Sequence, residues 1–346
     1  MTLVVKQSKS YIKGALYSAF FVCAFIVIGG CSFDPKTLEL SGQTMGTSYN
    51  VLVVRPGSRD AALDSDVQSL LAEINRQMST YRQDSELSEI NRAKLDTWLP
   101  VSPQLFEVLV LSQSINGQSG GAFDITVGPL VNLWGFGPEQ TTGELPGLAA
   151  IEEALATAGA DAFELDADSL AIRKLKPAFI DLSAVAKGYG ADKLAELLRA
   201  RGYRNYMVEI GGELRVSGKN TRGQLWRLAI EKPVPIPGEV FQAISVTDAG
   251  VATSGDYRNY FEIEGSRYSH TIDPLTGSPV KHNLVSVTVV ASSSAAADAW
   301  ATALNVLGGC KGLALAEQLQ LAAYFITEKD GELVAQYSQA FSPYLD

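Results

Sequence analysis

Three stretches of this chain gather residue types suited to handling a phosphate, a cation and a proton. The first runs Ile180-Asp181-Leu182-Ser183-Ala184-Val185-Ala186-Lys187-Gly188-Tyr189-Gly190. A carboxylate after a short apolar run, then small residues, then a lysine at a helix start is how a chain offers backbone amides and one cation to a phosphate. The spacing is not that of a nucleotide triphosphatase loop, and Gly188-Tyr189-Gly190 is only a fragment of a dinucleotide fingerprint. An ordinary strand-to-helix turn with a surface lysine would use the same residues.

The second stretch is Asp298-Ala299-Trp300-Ala301-Thr302. Its i,i+4 spacing sets a carboxylate and a hydroxyl on one helix face, two hard oxygen donors that could share a Mg²⁺ completed by carbonyls, waters and a substrate phosphate. An aspartate favoured by the helix dipole and a threonine bonded to the preceding turn is the alternative. The third is Ser269-His270-Thr271-Ile272-Asp273-Pro274, where His270 precedes a Pro-Gly turn and is suited to accept a proton from an attacking hydroxyl. A histidine bonded to a neighbouring strand would look the same. His282, in a polar loop, reads as surface. Gly120-Gly121-Ala122-Phe123-Asp124 and Ile210-Gly211-Gly212-Glu213 are turns where backbone can approach a flat ligand, and the Tyr81-Arg82 and Tyr257-Arg258 pairs could stack on a heterocycle.

These residues need elements to hold them. Thr47–Val54 predicts a strand, with residues 32–40 before it as a tether and Ser41 to Gly46 as a turn. Val67, Leu70, Leu71, Ile74 and Met78 recur at helical spacing, and Ser102-Pro103 starts a helix that Gly117 stops. Phe136 to Gly147 is a surface excursion. Ala178 to Asp181 predicts a short strand, followed by a helix that ends before Gly202. Strands over 206–210, 225–230, 243–247, 260–263 and 285–291 have the spacing of an antiparallel meander, and two helices, 295–307 and 313–321, come near the end. Runs of helices and runs of strands predict an α+β fold in one large domain, residues 41–346, rather than alternating βα units.

Composition narrows the function. The 346 residues are 46% hydrophobic, which is ample for a core and rules out disorder. With 28 Lys and Arg against 38 Asp and Glu the net charge is −10, so no nucleic acid is bound through a basic surface. The first 30 residues run against that balance, with Lys6, Lys9 and Lys13, no carboxylate, and an apolar run from Ala15 to Ile28. This is a signal-peptide layout, residues 1–30, with a short uncleaved anchor as the alternative. Ile28-Gly29-Gly30-Cys31 resembles a lipoprotein box, in which Cys31 is lipidated and becomes the mature N-terminus. Cys310 alone then remains in the domain, which removes disulfides and thiolate metal sites, and two histidines are too few for a multi-histidine centre.

Seven segments in order carry a resemblance to a known family: Thr44-Met45-Gly46-Thr47, Met78-Ser79-Thr80-Tyr81, Gly121-Ala122-Phe123-Asp124, Asp181 to Gly188, Gly211-Gly212-Glu213, His270 to Pro274, and Asp298 to Thr302. Together they resemble the ApbE family of flavin transferases. The resemblance implies a T-fold-like domain of antiparallel sheets flanked by helices, and Mg²⁺-dependent transfer of FMN from FAD to a threonine hydroxyl of an acceptor protein, with AMP released. It places Met45, Tyr81, Ala122, Phe123, Asp124, Asp181, Lys187 and Ile272 around FAD. It assigns the metal to the Ala184 carbonyl, Asp298, Ala301 and Thr302. The reading of the residues adds His270 as the catalytic proton acceptor, with Asp273 or the phosphate itself as the competing acceptor. Glu213 departs from the Asp frequent in relatives, which puts a turn contact in doubt. Implied partners are FAD, acceptor flavoprotein subunits of envelope redox complexes, and the membrane through the lipid anchor, with the domain in the periplasm of a bacterial envelope. An FAD pyrophosphatase releasing FMN and AMP, or a lipoprotein that holds FAD without turnover, would use the same pocket.

The lipobox gives a first prediction. Cys31→Ala should release an active domain into the soluble fraction, because acyl chains supply the anchoring. Retention of Cys31→Ala in a salt-washed membrane pellet would contradict the assignment.

Overall fold

The computed structural model describes residues 37–54, 62–137, 145–233, 238–255, 260–263 and 266–346. Cys31, most of the 136–147 excursion and Tyr257-Arg258 lie outside them. The N-terminal part contains β1 (Thr37–Thr44), β2 (Thr47–Val54), α1 (Leu63–Met78), α2 (Glu86–Arg92), β3 (Trp98–Pro100), α3 (Pro103–Gln118), α4 (Gly128–Leu133) and α5 (Leu148–Thr157). The middle contains β4 (Phe163–Asp166), β5 (Ala171–Lys174), α6 (Ala186–Ala200), β6 (Asn205–Ile210), β7 (Glu213–Ser217), β8 (Trp226–Glu231), β9 (Val240–Val246) and β10 (Ala249–Gly255). The remainder is β11 (Tyr260–Ile263), β12 (Ser266–Ser269), β13 (Ile272–Asp273), β14 (Ser278–Pro279), β15 (Leu284–Ala291), α7 (Ser294–Gln318), β16 (Ala322–Lys329) and β17 (Glu332–Tyr337).

One sheet organises these elements, in the order β1-β2-β6-β7-β10-β15-β16-β17, and each neighbouring pair is antiparallel. Its strands alternate side chains between two covered faces. On one face, Val51, Val208 and Ile210 pack with Leu63, Val67 and Leu71 of α1 and Leu194 and Leu198 of α6. The same layer continues where Val287, Val289 and Phe325 meet Ala299, Ala303 and Leu304 of α7. On the other face, Val216, Val251, Tyr324 and Ile326 pack with Trp226, Leu228 and Ile244 of the separate β8-β9 ribbon and with Phe341. Each fully buried aliphatic or aromatic side chain supplies about 1.5–3 kcal/mol, so two apolar faces per strand are a strong reason for this layering. The architecture is α+β, as the runs of strands and helices indicate.

Four details differ from the sequence expectation. Thr37 to Thr44, expected as tether and turn, is a full strand paired along its length with β2, leaving only Met45-Gly46 as the turn. Ala178 to Asp181 is not a strand, because its one sheet-like contact is a parallel bridge from Phe179 to Val127. The meander is interrupted, since β8 and β9 leave the large sheet and form their own ribbon. The two C-terminal helices are one element, α7, broken at Gly308 (φ 73°, ψ 175°).

That break accounts for a further correction. His282 is half-buried with its ring against Gly308, and its Nε2 donates to the Asn305 carbonyl at 2.7 Å. A helix break strands carbonyls that would otherwise bond within the helix, and the imidazole takes up one of them. His282 is therefore a structural residue that braces the break in α7 from the loop before β15.

The start of α7 is pressed against α6 at Gly188, where a Cβ would lie 2.3 Å from the Ser294 carbonyl oxygen. Gly117 in α3 has nothing within 4 Å of the same position. Gly117→Ala should therefore stabilise by roughly 0.5–1 kcal/mol. Gly188→Ala should instead destabilise by about 1–3 kcal/mol, because backbone on both sides has to move. Urea unfolding of the two variants checks the opposite signs.

Candidate active site

The densest charge cluster forms where α6, β7 and α7 begin or converge. Asp181 starts it: its Oδ1 accepts the Ser183 amide at 2.8 Å, curling the chain into the turn that leads to α6. Lys187 then lies in the first turn of α6, and its Nζ donates to the Ser183 carbonyl at 3.1 Å. The same Nζ lies 3.3 Å from Glu213 Oε1 and 3.7 Å from Asp298 Oδ2. Asp298 Oδ2 also accepts the Gly188 amide at 3.2 Å. Both carboxylate side chains are only 7% exposed.

Glu213 reaches Lys187 because of the turn before it. Gly211 and Gly212 take φ of 62° and 106°, left-handed values that L side chains rarely adopt. A Cβ on Gly211 would lie 2.8 Å from Thr47 Cγ2 and 3.3 Å from Lys187 Cδ, so glycine lets the hairpin close onto the lysine stem. Asp298 is set from the other side. Asp192 Oδ1 and Oδ2 accept the Ser294 and Ala295 amides at 2.9 Å each, Ser293 caps Ala296, and Arg215 bridges Asp192 and the Ser292 carbonyl. These contacts fix the first turn of α7, with Asp298 one turn further on and Thr302 a turn beyond that.

Burial governs the electrostatics. It pushes Glu213 up to about 8, with Lys187 opposing the rise and Asp298 adding to it. Asp298 is raised chiefly by burial, against Lys187 and the Gly188 amide. Burial pulls Lys187 down, but Asp298 and then Glu213 outweigh it and hold the ammonium above its ordinary value. Two buried carboxylates share one ammonium, and Glu213 Oε2 has no partner.

The other expected residues are tied to this centre by short links. Asp181 N donates to the Ile125 carbonyl at 2.7 Å, joining the Gly121–Asp124 turn to the lysine segment. Asn91 clamps Ile180 through both backbone groups, and the buried Lys174 donates to the Asn91 carbonyl. In the turn itself, Ala122 and Phe123 are buried, Asn116 and Ser119 hold the Phe123 backbone, and the Asp124 carboxylate accepts from Thr126. Burial raises the Asp124 pKa against those bonds. Leu275 approaches Gly121, bringing the 272–277 hairpin beside the same turn. Tyr81 is 72% exposed, and its phenol is raised by desolvation and then by the charge of Asp181, which stands nearby. Met45, at the β1-β2 turn, lies against Gly190 of α6.

His270 follows β12 with its ring edge-on to Phe136, at 6.3 Å between centroids. Ile272 is buried with Leu130, Trp134 and Ile151. Between His270 and Ile272, Thr271 Oγ1 accepts from Asn305 Nδ2 at 3.4 Å, and Asn305 also donates to Ser254 at 3.1 Å. Asn305 lies three residues past Thr302, so the His270 segment adjoins the helix that carries Asp298. A groove of about 540 Å³ beside the β3-β5-β4 sheet, lined by Trp98, Gln113 and residues 163–168, contains none of these residues.

The donors suit a divalent cation of the magnesium type. Among the described residues no three His, Cys, Asp or Glu side chains cluster as a cage. Asp298 is instead a single buried carboxylate at the junction of α6 and α7, a hard oxygen donor of the kind that leaves other positions of such an ion to neutral oxygens, water and phosphate. The surplus negative charge around Lys187 favours such an ion. Sequence reasoning missed Asp192, Arg215, Asn91 and Asn305 as positioning groups. Asp192, five residues after Lys187 on α6, was the one with a visible signal.

Fold and site together are those of an α+β protein in which a buried lysine and two buried carboxylates meet at the start of two helices. The chain belongs to the ApbE family, whose sequence pattern matches residues 45–325. A curated FAD:protein FMN transferase from Vibrio cholerae is 42% identical over 326 residues, covering 94% of this chain and 97% of the relative. One from Haemophilus influenzae is 41% identical over 328 residues, covering 92% and 95%. The solved flavin transferase ApbE from Vibrio cholerae superposes with a TM-score of 0.83 at 43% identity, covering 89% of this chain and 99% of that one.

The raised carboxyls make stability depend on pH. A carboxyl favoured in its protonated form by folding contributes stability fully below its ordinary value, 4.5 for Glu213, and loses it as pH rises towards about 8. Asp298 shifts the same way. Metal-free protein should therefore lose resistance to urea between about pH 5 and 8, and Glu213→Gln should flatten that decline.

Proposed function

We propose that this chain transfers FMN from FAD to a threonine hydroxyl of an acceptor protein, with Mg²⁺ and with release of AMP. The observation that carries the reading is the convergence of Lys187, Glu213 and Asp298, from three separate segments, at the start of two helices. A pyrophosphate is a polyanion, and helix starts, an ammonium and a cation-ready carboxylate are the groups that neutralise one. The names of the relatives support FAD as the flavin donor.

In this reading Met45, Tyr81, Ala122, Phe123, Asp124, Asp181 and Ile272 border the flavin and nucleotide, and Lys187 faces the phosphates. Asp298, Thr302 and the Ala184 and Ala301 carbonyls hold the ion, which would stabilise charge on the phosphoryl oxygens as a Lewis acid. The threonine Oγ forms a bond to the FMN phosphorus, and the anhydride bond to AMP breaks. The hydroxyl proton passes to His270, and AMP carries away the electron pair of the broken bond. The lipid anchor at Cys31, the envelope location and acceptor subunits of redox complexes complete the proposal. Among the described residues no helix is long and apolar enough to cross a membrane.

FAD, Mg²⁺ and an acceptor domain test the reading together. AMP with FMN covalently on an acceptor threonine is the expected product; AMP with free FMN would mean hydrolysis, and FAD bound without AMP would mean a carrier. His270→Ala should slow single-turnover transfer by a factor on the order of 10² to 10⁴ with FAD binding little changed. The loss of rate seen at low pH, where a protonated ring cannot accept a proton, should be absent from that variant. A near-normal rate in His270→Ala would remove the histidine from the mechanism.

A further inference from the structure

We propose that Glu213 is a positioning residue that holds the Lys187 ammonium off Asp298 and so keeps the Asp298 carboxylate available for a divalent cation. The inference rests on the metal reading of Asp298 and goes beyond it by giving the Gly-Gly-Glu turn a task. Lys187 has two carboxylates within reach and sits nearer Glu213, 3.3 Å against 3.7 Å for Asp298. An ammonium that settled on Asp298 would neutralise the one carboxylate of the cation site and repel an incoming ion. The stem cannot easily swing, because Gly211 lies against Lys187 Cδ and the Ser183 carbonyl accepts from Nζ. Glu213 is fixed in turn by the hairpin: Gly211 N donates to the Ser48 carbonyl and Gly212 N to Glu209 Oε1 at 2.7 Å. Its side chain is buried, Oε2 has no hydrogen-bond partner, and among the described residues the one ion pair it makes is with the lysine. A buried carboxylate retained with an oxygen unsatisfied costs stability, which fits a group kept for placing its neighbour.

The test is binding of Mn²⁺, a spectroscopic stand-in for Mg²⁺, to the metal-free protein, read from the free-ion electron paramagnetic resonance signal without FAD or turnover. Glu213→Gln should weaken Mn²⁺ binding about tenfold, and Glu213→Asp, which keeps a carboxylate, should recover most of the loss. Lys187→Met should move the other way and bind Mn²⁺ more tightly, since the competing cation is gone, whereas general damage to the site would weaken both. In the Lys187→Met background, Glu213→Gln should cost little. The same tenfold loss there would show that Glu213 acts as a bare negative charge and would overturn the proposal. Weaker binding in Lys187→Met would overturn it too. If Lys187→Met does not fold, equal losses in Glu213→Gln and Glu213→Asp, with melting curves intact, overturn it instead. Asp298→Ala separates the two levels: Mn²⁺ binding unchanged there defeats the metal reading itself, while binding lost there but unchanged in Glu213→Gln defeats only the role of Glu213.

Discussion

The Lys187 ammonium, enclosed by Glu213 and Asp298, is the interaction on which the site depends. A charge removed from water is costly unless it is paired, and a carboxylate removed from water is costly for the same reason. Three segments distant in sequence are therefore obliged to meet: α6 supplies the lysine, the β6-β7 hairpin one carboxylate, and α7 the other. The surrounding backbone serves that meeting. Glycine at 211 lets the hairpin close, glycine at 188 lets α6 touch α7, and Asp192 ties down the end of α7 that presents Asp298.

Local patterns carried well from sequence to structure, and long-range ones did not. The strand at 47–54 and the helix beginning at Pro103 form where alternation and the Ser102 cap place them. The α+β class followed from grouped strands and helices. The order of the large sheet, the departure of β8 and β9 from it, and the pairing of residues 37–44 depend on contacts made only when the chain is assembled. Residues 37–40 read as tether and Ser41 as turn, since Thr37, Glu39 and Ser41 are polar. Paired with β2, they place Leu38 and Leu40 on the buried face and themselves outside it.

The site was legible in the same uneven way. Lys187, Asp298 and the hydroxyl of Thr302 were visible as residue types at helical spacing, and the structure brings the first two within ion-pair range. Glu213 was visible only as an ending to a glycine turn, because nothing in a sequence states which cation a carboxylate will face. His282 read as surface from its polar neighbours, yet the break at Gly308 makes a place for its ring that no local pattern announces.

The position of the site across the large sheet limits how another protein can reach it. Glu213 begins β7, the fourth of eight strands, so the charged centre lies near the middle of the sheet. Among the described residues the large sheet ends at β1 and at β17, three and four strands from β7, which at the usual spacing of neighbouring strands is about 14 and 19 Å. A visiting chain that docked by adding a strand to either edge would leave its hydroxyl that far from Lys187. Within the proposed reaction, adding a strand to either edge would not by itself bring an acceptor threonine to the lysine.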